Sequence, residues 1–205
     1  MHSQDTRTRI VRAAAELLQR QGYEGASVKP IAKAAGASVS SVYHFFPGGK
    51  QELAVEALRH GAAEYADLLS QGMATSADPA EGVAACAHLM VSSLRTSSWV
   101  DGCPVAVTAL ETVGRVPGIQ QAAEEALAHW QQLISTSIQA SGVPANTADE
   151  LASTVISTLE GAELLSRVRR DGLPLLRAAD HLSQLVRLTT QGTAQGTTQG
   201  ATHSR

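Results

Sequence analysis

Apolar residues recur at three- and four-residue spacing through almost the whole of this 205-residue chain. That spacing places them on one face of an α-helix, and no convincing stretch shows the two-residue alternation of a half-buried strand. Glycines, prolines and capping residues divide the pattern into segments, and the high alanine content agrees with helix propensity. The sequence therefore predicts an all-α protein of about nine helices, long enough to bury a full core.

Two of the shortest predicted helices lie close together near the N-terminus. Ser27 is a suitable N-cap for the segment "VKPIAKAA", and Ser38 is a suitable N-cap for "VSSVYHFF". Gly22 ends the helix before them, and Pro47 with two glycines ends the pair. Two short helices joined by the tight glycine-containing turn "AGA" predict a helix-turn-helix.

Charge is unevenly distributed along the chain. The first 60 residues carry eight Lys and Arg against five Asp and Glu, a balance of +3, whereas the remaining 145 carry eight against fourteen, a balance of −6. This asymmetry suggests that any contact with a polyanion is made by the N-terminal part. No apolar run is long enough to span a bilayer and the N-terminus has no apolar signal core, so we expect a cytoplasmic protein without membrane contact.

The sequence offers no constellation of catalytic or metal-binding residues. It contains no nucleophile elbow, no zinc-protease motif, no phosphate-binding glycine loop and no acid pair at a meaningful spacing. Cys86 and Cys103 form no CxxC pair and lie at no ligand spacing from a histidine, which favours reduced thiols. We therefore expect no enzyme activity, no metal site and no cofactor.

The stretch "TRIVRAAAELLQRQGYEGASVKPIAKAAGASVSSVYHFFPGGKQEL" resembles the DNA-binding domain of the TetR family of transcriptional repressors. The resemblance covers about fifty residues in register, including the aromatic pair and the lysine beyond the proline. "FPGGK" and "GCPVAVTALE" are similar to the LmrA/YxaF-type branch of that family. The resemblance implies a homodimer with a DNA-binding domain in the first three helices and the start of the fourth. It also implies a larger C-terminal domain that binds a small organic effector, whose identity the sequence does not indicate.

These expectations divide the chain into three parts. Residues 1–50 are the predicted helix-turn-helix DNA-binding domain, and residues 51–190 are the predicted effector-binding and dimerisation domain. Two long amphipathic helices near residues 147–170 and 174–190 have apolar stripes suited to a four-helix bundle formed by two subunits. The Gln-Gly tract at 191–205 has nothing to bury and is predicted to be a flexible tail, with a helical extension of the last helix as the alternative.

The second helix of the helix-turn-helix is about 10 Å long at 1.5 Å per residue, which suits a major groove about 12 Å wide. Val39 and Ser40 are placed to touch base edges, and the absence of any basic residue in 38–49 makes apolar contacts and DNA shape important for reading. The remaining polar groups are placed to hold phosphates. The predicted inward residues are Ile31, Ala35, Val42, Phe46 and Leu53. The predicted DNA-contacting residues are Ser27, Lys29, Ser38, Val39, Ser40, Tyr43, His44 and Lys50.

Large rings outside the DNA-binding part are candidate effector contacts, because ligand cavities are mostly apolar with few polar groups. Each of them could equally be a core residue. The predicted pocket residues are Tyr65, His88, Trp99, Cys103 and Trp130.

The resemblance and the residues together predict a transcriptional repressor that an effector releases from a double-stranded DNA operator. A ligand-independent regulator or an activator remains the alternative. A helical interaction protein without DNA binding would have to explain the register of residues 5–53 as coincidence.

Overall fold

The computed structural model of the chain describes the backbone of residues 2–201 and the side chains of residues 5–192. Within those residues the protein has nine α-helices and no strand, which confirms the predicted all-α fold. The helices are α1 (His2–Gly25), α2 (Val28–Ala34), α3 (Val39–Phe45), α4 (Gly49–Met73), α5 (Pro79–Thr96), α6 (Ala106–Thr112), α7 (Pro117–Ala140), α8 (Ala145–Arg169) and α9 (Leu173–Ala201).

Packing contacts divide the chain into two compact units. Unit 1 is the chain up to Tyr65 together with Val100–Ala128, and it holds α1, α2, α3 and α6. Unit 2 is Ala66–Trp99 together with the chain from His129 onward, and it holds α5, α8 and α9. α4 and α7 each contribute residues to both units. The two units are defined by packing, and their boundary differs from the predicted one after residue 50. The predicted boundary separates a DNA-binding part from an effector-binding part, and that assignment of functions stays a prediction.

Unit 1 is built around the apolar face of α1, which packs against α2, α3 and α6. The residues that the sequence places inward are all buried, and α3 contributes a side chain with no exposed surface. Because these apolar groups leave water, they supply the free energy that holds three short helices together. The buried residues predicted for this core are Ile31, Ala35, Val42, Phe46 and Leu53.

In unit 2, α5 packs against both α9 and α8. α5 begins at Pro79, and the Asp78 carboxylate before it accepts a hydrogen bond from the Ala80 amide at 2.9 Å. Glu81 does not close a capping box with Asp78; its carboxylate instead accepts a hydrogen bond from the Ser76 hydroxyl at 2.7 Å. The Ser76 hydroxyl in turn accepts a hydrogen bond from the Asp78 amide at 3.1 Å. The backbone amide of the N-cap residue is therefore bonded to a residue outside the helix. The largest fully buried side chains of unit 2 are Leu69, Met90, Leu94, Trp130, Ile134, Ile138 and Leu159.

α9 continues far beyond the position at which the sequence predicts its end. The tract that we predicted to be a flexible tail has helical backbone as far as Ala201, which is the alternative that the sequence left open. Each residue added to a formed helix gains a hydrogen bond, which favours extension, whereas the threonines and glycines of the tract are poor helix formers and oppose it. Residues 202–205 lie outside the described residues, and the flexibility of the tract stays a prediction.

α4 and α5 approach each other closely within unit 2 because Gly72 has no side chain. A Cβ atom at Gly72 would lie 2.7 Å from the Cys86 amide nitrogen and 2.8 Å from its Cα. Both are backbone atoms, so the clash cannot be relieved by a side-chain rotation.

We therefore expect Gly72→Ala to lower the free energy of unfolding by about 1–3 kcal/mol, as overpacking in a filled core does. Gly192→Ala is the matched control, since no atom lies near that Cβ position and alanine should be neutral or stabilising by up to about 1 kcal/mol. Urea unfolding at one fixed protein concentration measures both. Equal stabilities of the two variants would contradict the close approach.

Candidate nucleic-acid interface

α3 is a seven-residue helix with one buried face and one exposed face. Val42 is fully buried, and so is Phe46 directly after the helix. On the opposite face, Val39 is 39% exposed and Tyr43 is 51% exposed. Ser40 and His44 are also exposed. The predicted orientation of α3 is therefore confirmed, although DNA contact by these residues stays a prediction.

The turn before α3 depends on a glycine. Gly36 has φ of 60°, in the left-handed region that favours residues without a Cβ. The Gly36 amide donates to the Lys33 carbonyl, and the Ala37 amide donates to the Ala32 carbonyl at 2.9 Å. These bonds close the end of α2 in the way of a Schellman motif and redirect the chain into α3. The structure thus contains the predicted helix-turn-helix.

The two predicted N-cap serines behave differently. The Ser38 hydroxyl accepts a hydrogen bond from the Ser41 amide at 3.0 Å, and it lies 2.9 Å from the Ser40 hydroxyl. Ser27 occupies the cap position of α2 in an extended conformation, but its side chain makes no capping hydrogen bond. Ser27 and Lys29 are both exposed at the start of α2. The Ser27 hydroxyl is therefore available to an external acceptor, and that of Ser38 is already engaged.

Lys50 lies at the start of α4, close to the exposed face of α3. The Tyr43 ring comes within 3.4 Å of the position that a Cβ of Gly49 would occupy. The Lys50 ammonium stacks on the ring of Tyr23, with 4.3 Å between Nζ and the ring centroid. Glu52, in the first turn of α4, accepts a hydrogen bond from the Gly48 amide at 2.7 Å. Sequence reasoning identified Lys50 but missed both Tyr23 and Glu52.

Ion pairs leave few free cations in unit 1. Its paired arginines are Arg7, Arg9, Arg20, Arg59 and Arg115. Among the described residues no carboxylate pairs with Lys29, Lys33 or Lys50, and these are the cations nearest in sequence to α2 and α3. Arg12 of α1 is also exposed and in none of these ion pairs, so the unpaired positive charge of unit 1 rests on Arg12 and the three lysines.

The five predicted pocket residues are divided between the two units. Tyr65 is half-buried and Cys103 is buried in unit 1, whereas His88, Trp99 and Trp130 belong to unit 2. The Cys103 sulfur accepts a hydrogen bond from the Ala106 amide at 3.4 Å, as expected of a packed thiol near a helix start. Trp130 is fully buried and Trp99 is half-buried with a left-handed φ of 66°. Effector contact by any of them stays a prediction.

A groove of about 800 Å³ runs between α5 and α9 in unit 2. His88 lies in its wall, but the other predicted pocket residues do not. Within the described part of the chain, no group of three or more His, Cys, Asp or Glu side chains is arranged to hold a metal ion. No helix in that part is long and apolar enough to cross a membrane.

The different use of the two capping serines leads to a test. Ser38→Ala removes a hydrogen bond to a helix amide and should lower the free energy of unfolding by about 1 kcal/mol. Ser27→Ala removes no such bond and should change it by only a few tenths of a kcal/mol. Thermal unfolding of the two variants side by side measures the difference. Equal effects would show that the Ser38 hydroxyl does not stabilise α3.

Comparison with known proteins agrees with this geometry. The model of bacterial regulatory proteins of the TetR family matches residues 10–57, and the model of the C-terminal domain of LmrA/YxaF-like transcriptional regulators matches residues 79–181. The uncharacterized regulator YxaF from Bacillus subtilis is 31% identical over 183 residues, covering 89% of this chain and 96% of its own. The regulator LmrA from the same organism is also 31% identical over 183 residues, covering 89% of this chain and 97% of its own.

A solved TetR transcriptional regulator from Chloroflexus aurantiacus J-10-FL is similar to this chain in structure, with a TM-score of 0.77 at 29% identity. The similarity covers 91% of this chain and 96% of that one. A regulatory protein TetR from Rhodobacter sphaeroides has the same TM-score at 21% identity, over 86% of this chain and 96% of its own, and shows the shared fold. The chain belongs to the TetR family of DNA-binding transcriptional regulators, in its LmrA/YxaF-like branch.

Proposed function

We propose that the protein is a dimeric cytoplasmic repressor that reads its operator with α3 and leaves it when a small organic effector binds. The observation that supports this most is the division of α3 into two faces. Its inner face is fixed by fully buried Val42, while Val39 and Tyr43 are 39% and 51% exposed. Large exposed side chains on a rigid, well-packed helix are typical of a recognition surface.

The exposed groups of α3 suit the two kinds of contact that DNA offers. Val39 presents a methyl surface for a thymine methyl group, and Ser40 presents a hydroxyl for a base edge. Tyr43 and His44 can donate hydrogen bonds to phosphate oxygens, and Lys50 adds a charge beside them. Ser27 and Lys29 can hold a further phosphate, since the Ser27 hydroxyl is not used in capping. Ser38 acts mainly by fixing the start of α3.

An exposed apolar face on α8 and α9 supports the dimer. α8 presents Leu164, Leu165 and Val168, which are 61%, 48% and 75% exposed. On α9, which packs against α8, Leu173 and Leu188 are 44% and 69% exposed. Apolar side chains concentrated on one face usually mark a protein contact, and a second copy of the same face satisfies it symmetrically. Two recognition helices can then read two half-sites about one turn of DNA apart.

The effector is proposed to bind among the large side chains outside the helix-turn-helix. Trp99 is the candidate with the most unusual conformation, because it and Ser98 have left-handed φ values of 66° and 55° directly after α5. Such strain is common at ligand-binding segments and can change when a ligand binds. A compound that binds here should change the fluorescence of Trp99 and weaken operator binding at the same concentration.

The DNA proposal is tested with a duplex recovered from a random-sequence pool by the wild-type protein. Tyr43→Ala removes the most exposed ring of α3 and should weaken binding about tenfold, the effect of one lost charged hydrogen bond with its contact surface. Tyr43→Phe, which keeps the ring, should lose only part of that affinity. Circular dichroism and light scattering should show an unchanged fold and dimer. Unchanged affinity of Tyr43→Ala would contradict the placement of α3 in the groove.

The dimer is tested by placing a charge on the α8–α9 face. Val168→Glu puts a carboxylate into the proposed apolar contact and should yield monomers at micromolar concentration, because burying a charge among apolar side chains is strongly unfavourable. Leu110→Glu is the matched control, since Leu110 is 79% exposed on α6, away from that face in sequence. Sedimentation velocity gives the oligomeric state. A Val168→Glu protein that remains dimeric would place the interface elsewhere.

A further inference from the structure

We infer that Tyr23 is a positioning residue for DNA binding, which holds Lys50 in place, and that its neighbour Glu24 is held by Glu111 of α6 and by Arg115 just after that helix. The inference rests on the proposed function, because Lys50 matters here as a phosphate contact. It adds a defined role for Tyr23, Glu111 and Arg115, none of which lies on the exposed face of α3. All the contacts that carry it lie within unit 1.

The first link joins α6 to a kink near the end of α1. Gly22 interrupts α1 with a left-handed φ of 69°, and the Glu111 carboxylate occupies the space in which a side chain at Gly22 would stand. The same carboxylate accepts a hydrogen bond from the Glu24 amide at 3.0 Å. An amide at the kink thereby finds its hydrogen-bond acceptor in a residue 87 positions away in the sequence.

A second contact secures the same corner. The Arg115 guanidinium donates a hydrogen bond to the Glu24 carboxylate at 2.9 Å. It also donates through Nε to the Glu111 carbonyl at 3.1 Å, which fixes its own position at the end of α6. Residue 24 is thus held twice from the α6 segment, once by its backbone and once by its side chain.

Tyr23 lies between the kink at Gly22 and the anchored Glu24, and its ring contacts the Lys50 ammonium. The nitrogen lies 4.3 Å from the ring centroid, well within the range of a cation–π interaction. Burial, with the nearby Glu24 carboxylate, raises the pKa of Tyr23, so the phenol is neutral at physiological pH and the ring contact carries no ion-pair component. Because Glu24, the next residue, is held from the α6 segment, the backbone that carries the Tyr23 ring is restrained.

Lys50 follows Gly49, whose Cβ position meets the Tyr43 ring, so the held ammonium stands at the edge of the α3 surface. A lysine has many rotamers, and ordering it on a phosphate opposes binding through lost entropy. A ring that restricts the side chain before DNA arrives removes part of that loss. A displacement of α6 that releases Glu24 would return Lys50 to its full range of rotamers and weaken DNA binding.

A double-mutant cycle on the full-length protein tests this series of contacts. The affinity of each variant for the selected duplex is measured at several salt concentrations. Lys50→Gln should weaken binding several-fold and reduce the salt slope by about 0.9, the value for one phosphate contact. Tyr23→Leu and Glu111→Ala should each weaken binding several-fold with an unchanged slope, because Lys50 keeps its charge. In the Lys50→Gln background, neither should have a further effect, since what they position is gone.

Two matched variants show that the effect belongs to these contacts. Tyr23→Phe keeps the ring face and should bind DNA as the wild type does. Glu125→Gln removes the ion pair with Arg59 in the same unit, at 3.1 Å, and should leave affinity and slope unchanged. In the absence of DNA, the ring should shift the NMR resonances of the Lys50 methylene protons upfield. Tyr23→Leu should abolish that shift and Glu111→Ala should reduce it.

The outcomes separate this inference from the proposed function. If Tyr23→Leu and Glu111→Ala weaken binding equally in both backgrounds, they act on the fold and not through Lys50, and the inference is wrong while DNA binding stands. A Lys50 resonance that is insensitive to Glu111→Ala also overturns it. If the wild-type protein selects no duplex, the proposed function fails and the inference falls with it.

Discussion

The burial of Val42 and Phe46 beneath α3 is the interaction on which the DNA-binding surface depends. α3 has only seven residues, too few to be stable as an isolated helix in water. Its stability must come from the apolar side chains that it places against α1 and α2, and both residues are fully buried. Because a helix turns by a fixed angle per residue, burying one face also determines which side chains face outward. The burial of Val42 and Phe46 therefore both stabilises α3 and determines which of its side chains are exposed.

The N-terminal helices and α6 are connected by polar contacts as well as by packing. Gly22 makes room for the Glu111 carboxylate, and Gln19 and Arg20 bind the segment just before α6 through the Gly102 carbonyl and the Asp101 carboxylate. Such contacts on partly exposed groups contribute little stability individually. Their effect is to fix the register between two helices, since each requires a particular pairing of donor and acceptor.

The sequence predicted those features that depend on neighbouring residues. Helix periodicity, the Gly36 turn and the Ser38 cap are local, and the structure contains all three. Contacts between distant residues were not predictable, because spacing along one chain carries no signal for them. The stacking of Lys50 on Tyr23 joins residues 27 positions apart, and the Glu111 contact joins residues 87 apart. The length of α9 was missed for another reason: composition suggested a tail, while helix propagation carried the backbone to Ala201.

The scarcity of free cations explains why the position of each one matters. Five arginines of unit 1 are paired with carboxylates, and α3 itself contains no lysine or arginine. A strongly basic protein can bind DNA with many interchangeable phosphate contacts, so that a poorly placed lysine has little effect. Here the unpaired positive charge of unit 1 rests on Arg12, Lys29, Lys33 and Lys50, so few cations remain to compensate for a misplaced one. If Lys50 binds a phosphate as proposed, its stacking on Tyr23 holds one of these few charges in position before DNA arrives.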